Sequence, residues 1–271
     1  MQEQTRPTHI MGVSLLHKCN FKCAHCAYIY VGDAEDHIIK PGYKLSWDQV
    51  MTAFSDCKSL KGSLWNMNYT GGEPTLWEDG DKRLIDILIE SAKSGVLPSV
   101  NTNGSYFDDF DKCRDFYNKY LDNTDVQLRT FISMDNFHDN FDREKGRAKC
   151  LDSIVKYFDS ISAEKKEQLP VHVITIVTKN PGSSLPAEMK EHYEKWGITI
   201  GDFPMLGLGK AKDLMDELPH PPDFKPIPEP DESEGPIVTV LVGNDYYVGP
   251  ERKGKLGHLI DLYPKEIIET V

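Results

Sequence analysis

The 271-residue sequence predicts an α/β protein, a partial (β/α)6 barrel followed by a small C-terminal cap of one β-hairpin and one helix. Three observations carry that prediction. Short β-rich runs alternate with longer amphipathic runs up to about residue 204. A series of β-then-α units implies parallel strands joined by right-handed crossovers. The alternation stops after six strands, short of the eight that a closed barrel needs.

The strand candidates, in order, are His9 to Leu16 (HIMGVSLL), Leu64 to Thr70 (LWNMNYT) and Pro98 to Thr102 (PSVNT), then Gln127 to Met134 (QLRTFISM), Val171 to Thr178 (VHVITIVT) and Ile198 to Asp202 (ITIGD). Helical spacing is clearest over Lys82 to Ser94, where Leu84, Ile85, Leu88 and Ile89 share one face. Further helices are predicted over Ser46 to Ser59, Phe107 to Tyr120, Arg147 to Phe158 and Pro186 to Trp196. Ser46 followed by Trp47-Asp48-Gln49 reads as an N-cap with a glutamine at N3, the pattern of a capping box.

Beyond residue 210 the character changes. Glu217 to Pro236 holds seven of the seventeen prolines, so it can neither propagate a helix nor pair as a central strand. Ile237 to Val242 and Tyr246 to Val248, joined by Gly243-Asn244-Asp245, read as a hairpin, and Pro264 to Thr270 as a terminal helix. The division expected is therefore 1–210 barrel, 211–236 proline-rich acidic strap and 237–271 cap.

Composition narrows the function classes. A net charge of -12 argues against a nucleic-acid binder, which replaces phosphate counterions with Lys and Arg. No apolar run is long enough to span a bilayer and the N-terminus lacks a secretory pattern, so a cytoplasmic protein without a membrane partner is expected. Three of the six cysteines, Cys19, Cys23 and Cys26, lie within eight residues in the loop after the first strand. A tight trio of thiols in a reducing compartment makes a soft-ligand site. An iron–sulfur cluster with one iron lacking a protein ligand suits three thiolates, and zinc, completed by His17 or His25, is the competing reading.

Position favours the cluster. Ligands and catalytic groups of parallel α/β sheets collect at the C-terminal ends of strands. The trio follows strand one, Thr70-Gly71-Gly72-Glu73-Pro74 follows strand two, Asn101 to Gly104 ends strand three and Ile132 to Asp135 ends strand four. With Cys19-x3-Cys23-x2-Cys26 and Gly71-Gly72-Glu73-Pro74 in that order, the sequence resembles a radical S-adenosylmethionine (SAM) enzyme over about residues 9 to 205. The resemblance implies a partial, TIM-like (β/α)6 barrel, one [4Fe–4S] cluster on the three cysteines, and SAM chelated to the fourth iron. It places Gly71, Gly72, Glu73 and Pro74 at the amine of SAM, and Asn103, Ser133 and Asp135 at its carboxylate and ribose. Thr178, with Asn180, falls near the nucleoside, Gly207 near the adenine, and the backbone of His25 beside the adenine. It implies reductive cleavage of SAM to a 5′-deoxyadenosyl radical, which takes hydrogen from a small-molecule or peptide substrate in an epimerisation, oxidation or bond formation.

Other residues are open to two readings. Cys57, Cys113 and Cys150 fall in helical patterns and read as buried structural thiols, or as a hydrogen donor to a substrate radical. His138 reads as a loop histidine with a structural bond or as a substrate or acid–base group. The C-terminal hairpin resembles the start of a SPASM or twitch extension, yet carries no cysteine for an auxiliary cluster, which leaves Tyr246 and Tyr247 as candidate substrate contacts. Lys18, Lys22, Lys40 and Lys44 near the cysteine loop suit an acidic electron donor such as flavodoxin, or else are solvated lysines; a ferredoxin or a reductase is the other donor class expected. The start of the chain, some eight residues before strand one, favours a small molecule or a peptide brought by a partner. A non-catalytic iron–sulfur protein on the same fold, and a zinc-binding module, are the rival functions.

Overall fold

The computed structural model describes residues 9–26, 44–58, 64–135, 137–138, 140–142, 144–177, 185–204, 237–242 and 245–248. The strap at 211–236 and the terminal helix at Pro264 to Thr270 lie outside them. The chain divides into two compact units, one of residues 1–18, 40–99 and 225–271, the other of residues 19–39 and 100–224.

In the first unit, β1 (His9–Ser14) runs parallel to β2 (Leu64–Thr70), with Val13 opposite Tyr69 and Ser14 opposite Thr70. Between them lies α1 (Trp47–Lys58). Its start is the capping box that the sequence predicts: Gln49 N–H donates to Ser46 Oγ at 3.2 Å and Ser46 N–H to Gln49 Oε1 at 2.8 Å. The turn after β2 leads into a two-residue hairpin, β3 (Glu78–Asp79) and β4 (Lys82–Arg83), and α2 (Leu84–Lys93). The helix predicted from Lys82 thus begins two residues later, because Lys82 and Arg83 pair with Asp79 and Glu78. Asp86 then accepts the Arg83 N–H at 2.9 Å and holds the first turn. The apolar face of α2 is buried, and Ser91 Oγ meets the buried Tyr69 hydroxyl of β2 at 2.5 Å. Trp77, fully buried, donates its indole N–H to the Leu45 carbonyl at 2.8 Å.

The C-terminal hairpin is present as β9 (Ile237–Val242) and β10 (Asp245–Val248), antiparallel to each other. Strand β9 also pairs parallel with β1, Val13 opposite Leu241, so the hairpin extends the sheet at the β1 edge. Pairing of this kind joins residues more than two hundred positions apart and leaves no local signal in the sequence.

Strand β5 (Leu97–Thr102) is the neighbour of β2 and passes from the first unit into the second. There β6 (Arg129–Ser133), β7 (Val171–Val177) and β8 (Thr199–Pro204) follow in parallel register. The helices are α3 (Phe110–Leu121), α4 (Lys149–Asp159), the short α5 (Ala163–Glu167) and α6 (Ala187–Glu194). The helix predicted from Phe107 is split, because Asp109 Oδ1 caps the Asp111 and Lys112 amides and starts α3 afresh after a 3-10 turn at Ser105–Asp108. Phe107, Tyr117 and Tyr157 stack in series at 5.5 Å between centroids and form the core between that turn, α3 and α4.

Among the described residues the strand order is β10-β9-β1-β2-β5-β6-β7-β8, with six barrel-type strands as the sequence predicts. Among the described residues no helix is long and apolar enough to cross a membrane. Trp77→Ala removes the largest fully buried side chain and the partner of the Leu45 carbonyl. We expect it to lower unfolding free energy by about 3–5 kcal/mol in urea titration, while a surface change such as Lys93→Ala leaves the midpoint unmoved.

Candidate functional site

The turn after β2 is built on two glycines. Gly72 N–H donates to the Leu16 carbonyl at 2.6 Å, and Glu73 N–H to the Lys18 carbonyl at 2.9 Å. A Cβ on Gly71 would run into the Leu16 carbonyl oxygen, and one on Gly72 into that of Lys18. Gly71 also sits at φ 139°, which a residue with a side chain rarely adopts. The close approach that the glycines allow is therefore to the chain's own backbone, along the segment that ends at Lys18, immediately before Cys19. Glu73 is fully buried and caps the 3-10 turn Pro74–Leu76, its Oε1 accepting from the Thr75 amide at 3.1 Å and hydroxyl at 2.6 Å.

The cysteine loop belongs to the second unit. Cys19, Cys23 and Cys26 are half-buried and joined in no disulfide, and Cys26 N–H closes a turn on the Cys23 carbonyl at 3.3 Å. Cys19 Sγ accepts the Phe21 amide at 3.3 Å and lies 3.8 Å from Asn103 Nδ2. Asn103 also donates to Asn20 Oδ1 at 2.9 Å and accepts the Ser105 amide on its Oδ1 at 3.0 Å, while Asn20 donates to Ser105 Oγ at 2.8 Å. Asn103, predicted as a SAM contact, is here a brace for the loop that carries Cys19.

Strand β6 delivers Asp135, whose side chain has no solvent exposure. Its Oδ1 accepts from Phe137 N–H at 2.8 Å, His138 N–H at 3.1 Å and the His138 ring Nδ1 at 2.9 Å. His25 Nε2 stands 3.8 Å from Oδ2, and its ring packs on Phe137 and edge-on to His138 at 4.8 and 4.9 Å. Burial alone would raise the Asp135 carboxyl; the His138 bond and charge, then His25 and the Phe137 amide, hold it below the usual range. Burial likewise pushes His138 down, but its bonds to Asp135 and to Cys23 prevail and raise it to about 9. For His25 burial wins, and the ring is pushed down to about 4.

Asn140, which the sequence reading passed over, closes this corner. Its Nδ2 donates to the Ser133 carbonyl at 2.7 Å and the Asn103 carbonyl at 2.9 Å, tying the ends of β6 and β5. Its Oδ1 is buried without a hydrogen-bond partner, as is His25 Nδ1. Each such atom can take a hydrogen bond from a polar ligand. The only sequence signal for Asn140 is its place in a polar loop at a strand end.

Cys113 and Cys150 are completely buried in the α3 and α4 layer, and burial pushes both thiols up, Cys113 to about 12. Cys57 lies on α1 and Tyr246 and Tyr247 on β10, opposite Leu241 and Val240; their side chains are outside the described residues, as are Thr178, Asn180, Gly207 and Lys40. Lys44 donates to the Glu78 carbonyl at 2.7 Å and pairs with Asp79 at 3.3 Å, so it is engaged within its unit; Lys18 and Lys22 are exposed.

Gly72→Ala tests the turn. The added methyl must displace the Lys18 carbonyl, and we expect a loss of about 1–3 kcal/mol together with faster amide exchange at Gly72 and Glu73. Unchanged exchange would mean that the segment before Cys19 is held by other contacts.

The three thiols, one of which has nitrogen donors set against its sulfur, are chemically suited to a thiolate-ligated iron–sulfur group. A sequence model of the radical SAM superfamily matches residues 13–184, a span that takes in all three cysteines, the glycine turn, Asn103, Asp135 and His138. Among solved structures, the chain is similar to methylornithine synthase (PylB), with 12% identity and a TM-score of 0.46 over 79% of this chain and 59% of that one. Coproporphyrinogen III oxidase (HemN) from Escherichia coli, described as a radical SAM enzyme, gives 13% and 0.39 over 82% and 50%. Dihydrodipicolinate synthase (dapA) gives 11% and 0.37 over 69% and 52%. The chain thus spans between half and three fifths of these proteins, and likenesses at such TM-scores carry no inference about function. The match over most of its length is to one family: this chain belongs to the radical SAM superfamily.

Proposed function

We propose that the chain is a radical SAM enzyme whose Cys19, Cys23 and Cys26 hold one [4Fe–4S] cluster. The observation that carries this reading is the cysteine loop itself: three half-buried thiols outside any disulfide, with the Phe21 amide and Asn103 Nδ2 set against the Cys19 sulfur, on a segment that starts where the glycine turn holds Lys18. When bound, the cluster supplies the electron that splits the sulfonium of SAM into methionine and a 5′-deoxyadenosyl radical, which takes hydrogen from the substrate.

The residues of the chain have distinct parts in that reading. Gly71, Gly72, Glu73 and Pro74 form the turn that the family resemblance assigns to the amine of SAM, and the buried Glu73 carboxylate suits an ammonium group. Asn103, Ser133 and Asp135 are assigned to its carboxylate and ribose. Asn140 Oδ1, buried and unpartnered next to Ser133, is a further acceptor for a ribose hydroxyl. Thr178 and Gly207 are assigned to the nucleoside by resemblance alone. Exclusion of water protects the reactive radical, and the buried Asp135 corner supports a dry, pre-shaped pocket. The substrate proposed is a small molecule or peptide, and the electron donor a flavodoxin, ferredoxin or reductase; a cytoplasmic setting follows from that donor chemistry.

Anaerobic reconstitution should give about four irons and four sulfides per chain, and Cys→Ala at any of positions 19, 23 or 26 should reduce that content severely. With dithionite and SAM the loaded chain should release 5′-deoxyadenosine. A stoichiometric zinc without charge-transfer absorption contradicts the cluster. A full cluster with no 5′-deoxyadenosine favours an electron-transfer or regulatory protein on the same fold.

A further inference from the structure

The side-chain amide of Asn103 has a fixed orientation. Its Oδ1 accepts the Ser105 N–H at 3.0 Å, a bond that only the oxygen can make. The NH2 group is thereby turned to the cysteine loop, where its two hydrogens meet Asn20 Oδ1 at 2.9 Å and the Cys19 sulfur at 3.8 Å. Asn20 presents its oxygen because its own Nδ2 donates to Ser105 Oγ at 2.8 Å. The backbone is held as firmly. The Asn103 carbonyl accepts Asn140 Nδ2 at 2.9 Å, and a Cβ on the next residue, Gly104, would come within 3.0 Å of Ile132 and 3.1 Å of the Cys150 sulfur. Asn103 is buried, so water competes little for either of its hydrogens.

We propose that Asn103 is a positioning residue that donates an N–H to the Cys19 sulfur and thereby raises the reduction potential of the cluster that Cys19 binds. The inference rests on the reading of Cys19, Cys23 and Cys26 as iron–sulfur ligands. One-electron reduction adds a negative charge that spreads over the cluster and its thiolates. A donor aimed at a ligand sulfur therefore stabilises the reduced state more than the oxidised one, and such bonds are one of the means by which proteins set cluster potentials. The Phe21 amide, 3.3 Å from the same sulfur, belongs to the cysteine loop itself. Asn103 stands 84 positions further along the chain, so its donor ties the sulfur to the end of β5. An amide has no titratable proton, and its donation does not change with pH.

This part differs from the SAM contact that the family resemblance assigns to Asn103. An acceptor such as the SAM carboxylate would have to displace Asn20 or Cys19 to reach an N–H of this amide. The two parts also differ in when they act. A SAM contact changes the cluster only once SAM is bound, whereas a donor on a ligand sulfur acts in its absence as well.

The test uses the full chain, reconstituted anaerobically, as wild type, Asn103→Ala and Asn20→Ala. Iron and sulfide are counted, and the cluster midpoint potential is read by EPR on samples poised without SAM. Asn103→Ala should make reduction at least about threefold less favourable, a negative shift of about 28 mV for one electron. Asn20→Ala, which keeps the donor to the sulfur, should give a smaller shift. A fully loaded Asn103→Ala chain at the wild-type potential overturns the proposal. An equal shift in both variants also overturns it, since the effect then belongs to support of the loop. Pulsed EPR of chains labelled with 15N at the asparagine side-chain amides gives a second readout. A 15N coupling to the reduced cluster should be present in the wild type, kept in Asn20→Ala and lost in Asn103→Ala. Should Asn103→Ala load no cluster, this readout decides: a coupling kept in Asn20→Ala supports the proposal, and its absence from the wild type or loss in Asn20→Ala overturns it. A wild-type chain that binds no cluster removes the underlying reading and the proposal together, and is recognised by the absence of an iron–sulfur signal in every sample.

Discussion

Two backbone hydrogen bonds fix the chain where it leaves the first strand: Gly72 to Leu16 and Glu73 to Lys18. Both require backbone to lie against backbone at a distance that no Cβ permits, and this is the physical reason for a glycine pair at the end of β2. Lys18 is the last residue before the cysteine loop. Glu73 adds to the constraint by capping the next turn while fully buried. The motif that resembles a ligand contact is, in this chain, first a device for holding the segment that ends at Lys18.

A second constraint comes from Asp135. A buried carboxylate is costly unless several donors meet it, and here two amides and the His138 ring converge on one of its oxygens. Those bonds order the turn after β6 and fix the direction of His138. The same economy appears at Asn103 and Asn140, each of which serves two backbone or side-chain partners at the end of β5 or β6. Loops that would otherwise be irregular are thereby held by side-chain amides, while Asn140 Oδ1 and His25 Nδ1 are among the buried polar atoms that still lack a partner.

Much of this was legible in the sequence because its signals are local. The strand Leu64–Thr70 has the bounds that the sequence predicts, and the Ser46–Gln49 capping box forms both of its bonds. The thiol spacing and the glycine pair, read together, led to the family that the sequence comparison shows. What escaped depends on contacts distant along the chain. Parallel pairing of β9 with β1 has no local pattern. The part that Asn103 takes in bracing Asn20 and Cys19 spans more than eighty residues. Asp109 split a predicted helix because a side-chain cap outweighed apolar periodicity.

The central claim is that the cysteine loop holds a cluster with an iron open to SAM. EPR of the reduced, reconstituted chain, recorded with and without SAM, tests it most directly. The account predicts a [4Fe–4S] signal whose g-values change when SAM is added, since the fourth iron gains ligands. A signal identical in the presence of saturating SAM, or no iron–sulfur signal from a correctly folded chain, would contradict it.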